Sequence, residues 1–62
     1  MRIKVESCWN GGDRHYFRLT LPNGDRESIT GYTWTRSTAT EALDLLESLY
    51  GYIRRSIRFD VR

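Results

Sequence analysis

Apolar and polar residues alternate from the first position, with Met1, Ile3 and Val5 interleaved with Arg2, Lys4 and Glu6. This is the period-two mark of a strand with one buried face. Asn10-Gly11-Gly12-Asp13 interrupts the alternation, and residues that tolerate positive φ predict a reversal there. The pattern resumes with Phe17, Leu19 and Leu21 on one face and Tyr16, Arg18 and Thr20 on the other. Pro22-Asn23-Gly24-Asp25 follows, and Asn-Gly between alternating runs predicts a hairpin, making the second and third strands antiparallel neighbours. The third is expected from about Arg26 to Trp34, on the β-branched and aromatic character of Ile29, Thr30, Tyr32, Thr33 and Trp34.

The period then lengthens. Ala42, Leu45, Leu46 and Leu49 fall at i, i+3, i+4 and i+7, which places them on one stripe of a helix. Thr38 followed by Glu41 has capping-box spacing, with Ser37 as a competing cap, and Gly51 stands where a left-handed C-terminal residue is wanted. The spacing predicts a helix over residues 38–50. After it, Ile57, Phe59 and Val61 alternate with Arg58, Asp60 and Arg62, which suggests a last strand. The expected fold is a single α+β domain over residues 1–62, ordered β-β-β-α-β: a small antiparallel sheet of three to four strands with one helix on one face.

Length adds a constraint on stability. In a chain of 62 residues, the free energy of apolar burial and the entropy of ordering nearly cancel. Such domains lean on disulfides, metals or partner chains. The single Cys8 excludes an internal disulfide, and with one histidine, His15, there is no Cys/His set for zinc. No metal or cofactor is expected, and a partner or self-association is. No apolar run approaches the ~18 residues that span a bilayer, and Met1 to Glu6 carry no apolar signal core. A protein off the membrane, in the reducing cytoplasm that suits a free cysteine, is the expectation.

The net charge of +2 is mildly basic and falls short of a polycation. Its distribution is uneven. Residues 39–50 hold Glu41, Asp44 and Glu47 without a base, whereas residues 52–62 hold Arg54, Arg55, Arg58 and Arg62 against Asp60. An acidic and a basic region are therefore expected to stand apart.

One helix covers one face of such a sheet, so function is sought on the other. If Phe17 points toward the helix, Tyr16, Arg18 and Thr20 face away, joined by Arg2, Lys4 and Glu6 and, with Ile29 inward, by Ser28, Thr30, Tyr32 and Trp34. Tyr16, Arg18, Tyr32 and Trp34 are the candidate anchors, either as hot spots for another protein or as stacking and phosphate contacts for nucleic acid. Trp34 and Tyr32 have a second reading, in which they wrap a sheet edge and belong to the core. A bulge near Gly31 reverses their faces. Arg54, Arg55 and Arg58 form a second candidate patch for an acidic partner, or for the acidic helix end of a neighbouring chain.

Other polar residues read more plainly. His15 is expected to be a solvated strand-end side chain, Cys8 a small buried hydrophobe, and Asp44 with Glu47 a solvated pair. Asn10-Gly11-Gly12 lacks the spacing of a phosphate loop. Nothing assembles a nucleophile, a base and oxyanion donors, so no enzyme is expected.

The stretch Tyr16-Phe17-Arg18-Leu19-Thr20-Leu21-Pro22-Asn23-Gly24, followed by a helix containing Ala42, resembles the arm-type DNA-binding domain of tyrosine recombinases. It is also similar to short uncharacterised bacterial proteins with a Phe-Arg-Leu and Asn-Gly hairpin before a helix. The resemblance covers residues 16–50. The first family implies a three-stranded sheet, one helix, and a sheet that enters the major groove. Modest net charge with aromatic and arginine enrichment favours a protein interface first, on the scale of phage or mobile-element accessory and inhibitor proteins. Sheet-mediated DNA or RNA binding is the alternative.

Overall fold

The computed structural model describes residues 1–62. Strands β1 (Arg2–Trp9), β2 (His15–Thr20) and β3 (Arg26–Thr30) precede helix α1 (Arg36–Tyr50), a 3₁₀ turn (Arg54–Ser56) and strand β4 (Arg58–Val61). This is the expected β-β-β-α-β order. The sheet runs β3-β2-β1-β4, with β1, β2 and β3 antiparallel and β4 parallel to β1. The sheet is thus mixed rather than purely antiparallel. The reason is connectivity: α1 carries the chain from one edge of the sheet to the other, and a helical crossover returns the strand in the direction it left.

Both turns form where the sequence placed them. Between β2 and β3, the Gly24 N–H donates to the Leu21 carbonyl and the Leu21 N–H to the Asp25 carbonyl, each at 2.9 Å. Gly24 alone carries the positive φ, at 92°. Asn23 keeps a negative φ and uses its side-chain oxygen to accept from the Asp25 N–H at 2.9 Å.

Strand β3 is shorter than expected. Its ladder ends at Thr30, with a last bond from the Gly31 N–H to the His15 carbonyl at 3.1 Å. The chain then turns away, and the period-two parity stops with it. A side chain on Gly31 would meet the Thr38 methyl at 2.8 Å and the Phe17 ring at 3.3 Å, so glycine lets the incoming helix close on the sheet. Beyond this bend Trp34 comes round to the helix side. Its ring stands edge-on to Phe17 at 5.4 Å and to Phe59 at 5.1 Å, and it packs against the core. Its expected place on the outer face is therefore corrected: a strand through residue 34 would have put it there, and the bend at Gly31 does not.

Helix α1 starts earlier than expected because the capping box sits one turn upstream. The Thr35 N–H donates to the Thr38 hydroxyl at 2.7 Å, and the Thr38 N–H donates to the Thr35 hydroxyl at 3.4 Å. Thr38 is thus the third helical residue, not the cap, and Ser37 does not cap either. Gly51 ends the helix at φ 70°, its N–H on the Glu47 carbonyl at 3.0 Å, as expected of a left-handed terminus.

The core comprises Ile3, Val5, Phe17, Leu19, Leu21 and Ile29 from the sheet side and Ala42 and Leu46 from the helix. The buried ridge of α1 runs in steps of four through Thr38, Ala42 and Leu46, with Tyr50 half-buried beyond it. Leu45 flanks this ridge. Leu49 falls to its side and is 61% exposed, which corrects the expected stripe. Strand β4 is fastened by the Arg58 N–H on the Met1 carbonyl at 2.8 Å and the Arg62 N–H on the Val5 carbonyl at 3.0 Å. The N-terminal amine adds a 2.6 Å bond to the Ser56 carbonyl. No helix is long and apolar enough to cross a membrane.

Candidate functional site

The face of the sheet opposite α1 has no element over it, and strand parity determines what it presents. With Ile3 and Val5 buried, β1 sends Arg2, Lys4, Glu6 and Cys8 outward. With Phe17 and Leu19 buried, β2 contributes Tyr16, Arg18 and Thr20, and β3 adds Arg26, Ser28 and Thr30 beside them. In β4, Arg58 lies opposite Arg2 and Asp60 opposite Lys4. The open face thus carries five cations against two carboxylates.

Glu6 is the electrostatic centre of this face. Arg18 reaches its carboxylate at 2.9 Å, and Lys4 approaches the other oxygen at 3.5 Å. The hydrogen bond from Arg18 holds the Glu6 carboxyl below the usual carboxylate range, and the same bond raises the Arg18 guanidinium. The Arg18 Nε is buried without a partner. Arg2, Arg26 and Arg58 are exposed.

Tyr16 is the one aromatic ring on the open face. Its cross-strand neighbours are Cys8 and Thr30, both small, so the ring borders a depression. That depression has a volume of about 330 Å³ and is lined by Asn10, Arg14, His15, Tyr16, Ser28 and Thr30. Asn10 shapes its rim by accepting from the Gly12 N–H at 3.1 Å, while the Trp9 indole N–H donates to the Gly12 carbonyl.

The candidate residues therefore separate. Tyr16 and Arg18 share the open face. Tyr32 is 75% exposed and lies beyond the end of β3, outside the strand ladder, its ring 6.1 Å from that of His15. Trp34 lies against the core. The second patch divides as well. Arg54, in the 3₁₀ turn, bonds to Asp44 and, at 3.3 Å, to Glu47 of α1, so it is engaged by two acids of the preceding helix. The pair is solvated as expected, both side chains being more than half exposed, but the acidic region does not stand apart from the basic one, which is a correction. Arg55 lines an open groove of about 520 Å³ with Glu47, Gly51, Tyr52, Ile53 and Arg54. Arg58 belongs to the open sheet face.

Some residues escaped the sequence reading. Arg26 has the parity of Ser28 and Thr30, a signal that was present in the alternation. Trp9 is 63% exposed at the end of a β1 longer than expected, and Arg14 enters the site only because the hairpin bends it there. Cys8 is half-buried on the open face rather than in the core. No three His, Cys, Asp or Glu side chains converge as a metal set. No protein-family model, curated protein or solved structure matches the chain.

Proposed function

We propose that the chain is a non-enzymatic nucleic-acid-binding module of the cytoplasm that meets its polyanion with the uncovered face of the sheet. The observation that carries this reading is the excess of three positive charges on that face, from Arg2, Lys4, Arg18, Arg26 and Arg58 against Glu6 and Asp60. The face bears no large aliphatic side chain and a single ring. Protein interfaces concentrate apolar and aromatic anchors at their centre, whereas a phosphate backbone is met by arginine and lysine. The Arg18–Glu6–Lys4 cluster fixes the orientation of its cations.

Salt titration tests it. Binding of a mixed-sequence duplex or single strand weakens linearly on a log-log plot against salt, and Arg26→Ala or Arg58→Ala each lowers the slope by about one. Absence of binding to either probe at low salt ends the reading.

A second reading, attachment to another protein or to a second copy, is favoured by a separate observation. Leu49 and Ile53 are 61% and 62% exposed near the C-terminal end of α1, beside the groove that Arg55 lines. Such a surface suits an acidic partner or self-association, and a marginally stable domain gains from either. An accessory or inhibitor protein of a phage or mobile element would act in this way. Sedimentation at micromolar concentration shows a dimer that Leu49→Asp dissociates; a monomer at that concentration removes the self-association.

A further inference from the structure

The open sheet face is not uniform, and its one depression adjoins its one ring. We infer that the depression beside Tyr16 seats an unpaired base, so that the polymer bound is a single-stranded nucleic acid; the inference rests on the nucleic-acid reading above. Three observations converge on it. First, the face is indented here by an open depression of about 330 Å³, although the sheet around it is flat. Second, the Tyr16 ring is half-buried and has the small Cys8 and Thr30 as its cross-strand neighbours, and its open part lines the depression. A base offers its π-face to such a ring only when it is unpaired, because in a duplex that face is stacked on its neighbours.

Third, the walls are polar in the way a base edge requires. Ser28 and Thr30 are exposed strand residues whose hydroxyls both donate and accept, and Asn10 adds an amide at the rim. Arg14 stands at the mouth and Arg18 lies two residues along the strand from Tyr16, opposite Ser28. Arg14 is thus available beside the ring for a phosphate flanking a seated base, while Arg18 keeps its bond to Glu6 and adds only to the positive field of the face. Charge complementarity selects the polymer, and the ring with its hollow selects the unpaired strand.

Fluorescence anisotropy with the full chain tests this, using a short mixed-sequence oligodeoxynucleotide, its ribose counterpart and the annealed duplex as probes. The expected result is tighter binding of one or both single strands than of the duplex. Tyr16→Ala weakens the single strand roughly five- to a hundred-fold and leaves duplex affinity unchanged, while Tyr16→Phe retains the ring and the affinity. Ser28→Leu fills the hollow from an exposed position and gives the same selective loss, which covers the case in which Tyr16→Ala fails to fold. The tighter of the two single strands names the sugar. Equal affinity for duplex and single strand, or Tyr16→Ala and Ser28→Leu variants that bind the single strand as the wild type does, overturns the base seat and leaves the cationic face standing. Failure of the wild type to bind any of the three probes overturns both.

Discussion

The Tyr50 hydroxyl donates to the Glu27 carboxylate at 2.6 Å, tying the last turn of α1 to the edge strand β3. The stem of Glu27 lies on the helix side of the sheet by the parity of Leu19 and Ile29, where an acid is out of keeping with its neighbours. Tyr50 gives that acid a partner and stacks on Tyr52 at 5.7 Å. The bond to Glu27 pushes the Tyr50 phenol up to about 12.

The sign of the resulting pH dependence follows from proton binding. Between the ordinary phenol value of about 10 and the folded value, the native state holds a proton that the unfolded state has released, so stability falls as pH rises. Thermal melting from pH 9 upward is expected to show a decline starting near 10, and Tyr50→Phe flattens that decline. An unchanged alkaline profile in the variant would place the pH response elsewhere.

Trp34 touches Phe17 and Phe59 at once and so joins β2 to β4 over the helix side. Trp34→Ala is expected to cost about 3 kcal/mol, enough to unfold much of a domain this small. Tyr32→Ala, two residues earlier and exposed, should stay within about 0.5 kcal/mol of wild type. Chemical denaturation of the two variants side by side reads the difference; equal stabilities would return Trp34 to the surface.

Gly31 is needed for room rather than for an unusual backbone angle, its φ not being among the positive values. Adding one methyl there drives it into the Thr38 methyl at 2.8 Å. Gly31→Ala is therefore expected to destabilise by roughly 1–3 kcal/mol through overpacking. The double variant with Thr38→Ser, which removes the obstructing methyl and keeps the capping hydroxyl, should recover part of the loss in the same melting experiment.

The cap at Thr35 is equally specific. Thr35→Ala removes the acceptor for the Thr38 N–H and is expected to cost about 1 kcal/mol, whereas Thr35→Ser restores most of it. Ser37→Ala, at the position that the sequence alone offers as a rival cap, should be near neutral. Helical circular dichroism through a thermal ramp distinguishes the three.

Much of this architecture was legible in period and punctuation. The alternation of Phe17, Leu19 and Leu21 located β2 and its buried face, Asn23-Gly24 located the hairpin, and Gly51 located the end of α1. What escaped was set by contacts between distant residues. The bend after Thr30 lies at Gly31, where Thr38 and Phe17 close in; Gly31 alone marks it in the sequence, as the site of a bulge, while the β-branched and aromatic character of Tyr32-Thr33-Trp34 argued for a longer strand. The parallel course of β4 depends on which edge α1 delivers it to. Tyr16 and Arg18 were readable as outward because their strand is regular. Arg54 was not readable as spent on Asp44 and Glu47, since the turn after Gly51 folds it back onto the preceding helix α1.

The pairing of β4 with β1 also bears on the order in which the domain is assembled. The three-strand meander and the helix can form while β4 is still unpaired, and one flank of β1 then shows bare amide and carbonyl groups. Such a flank is open to strands of other molecules, and closing it joins residues almost a full chain length apart, a slow kind of encounter. The short final strand therefore acts as a latch: clipping Arg58–Val61 from the gene would leave a product that collapses but stays adhesive.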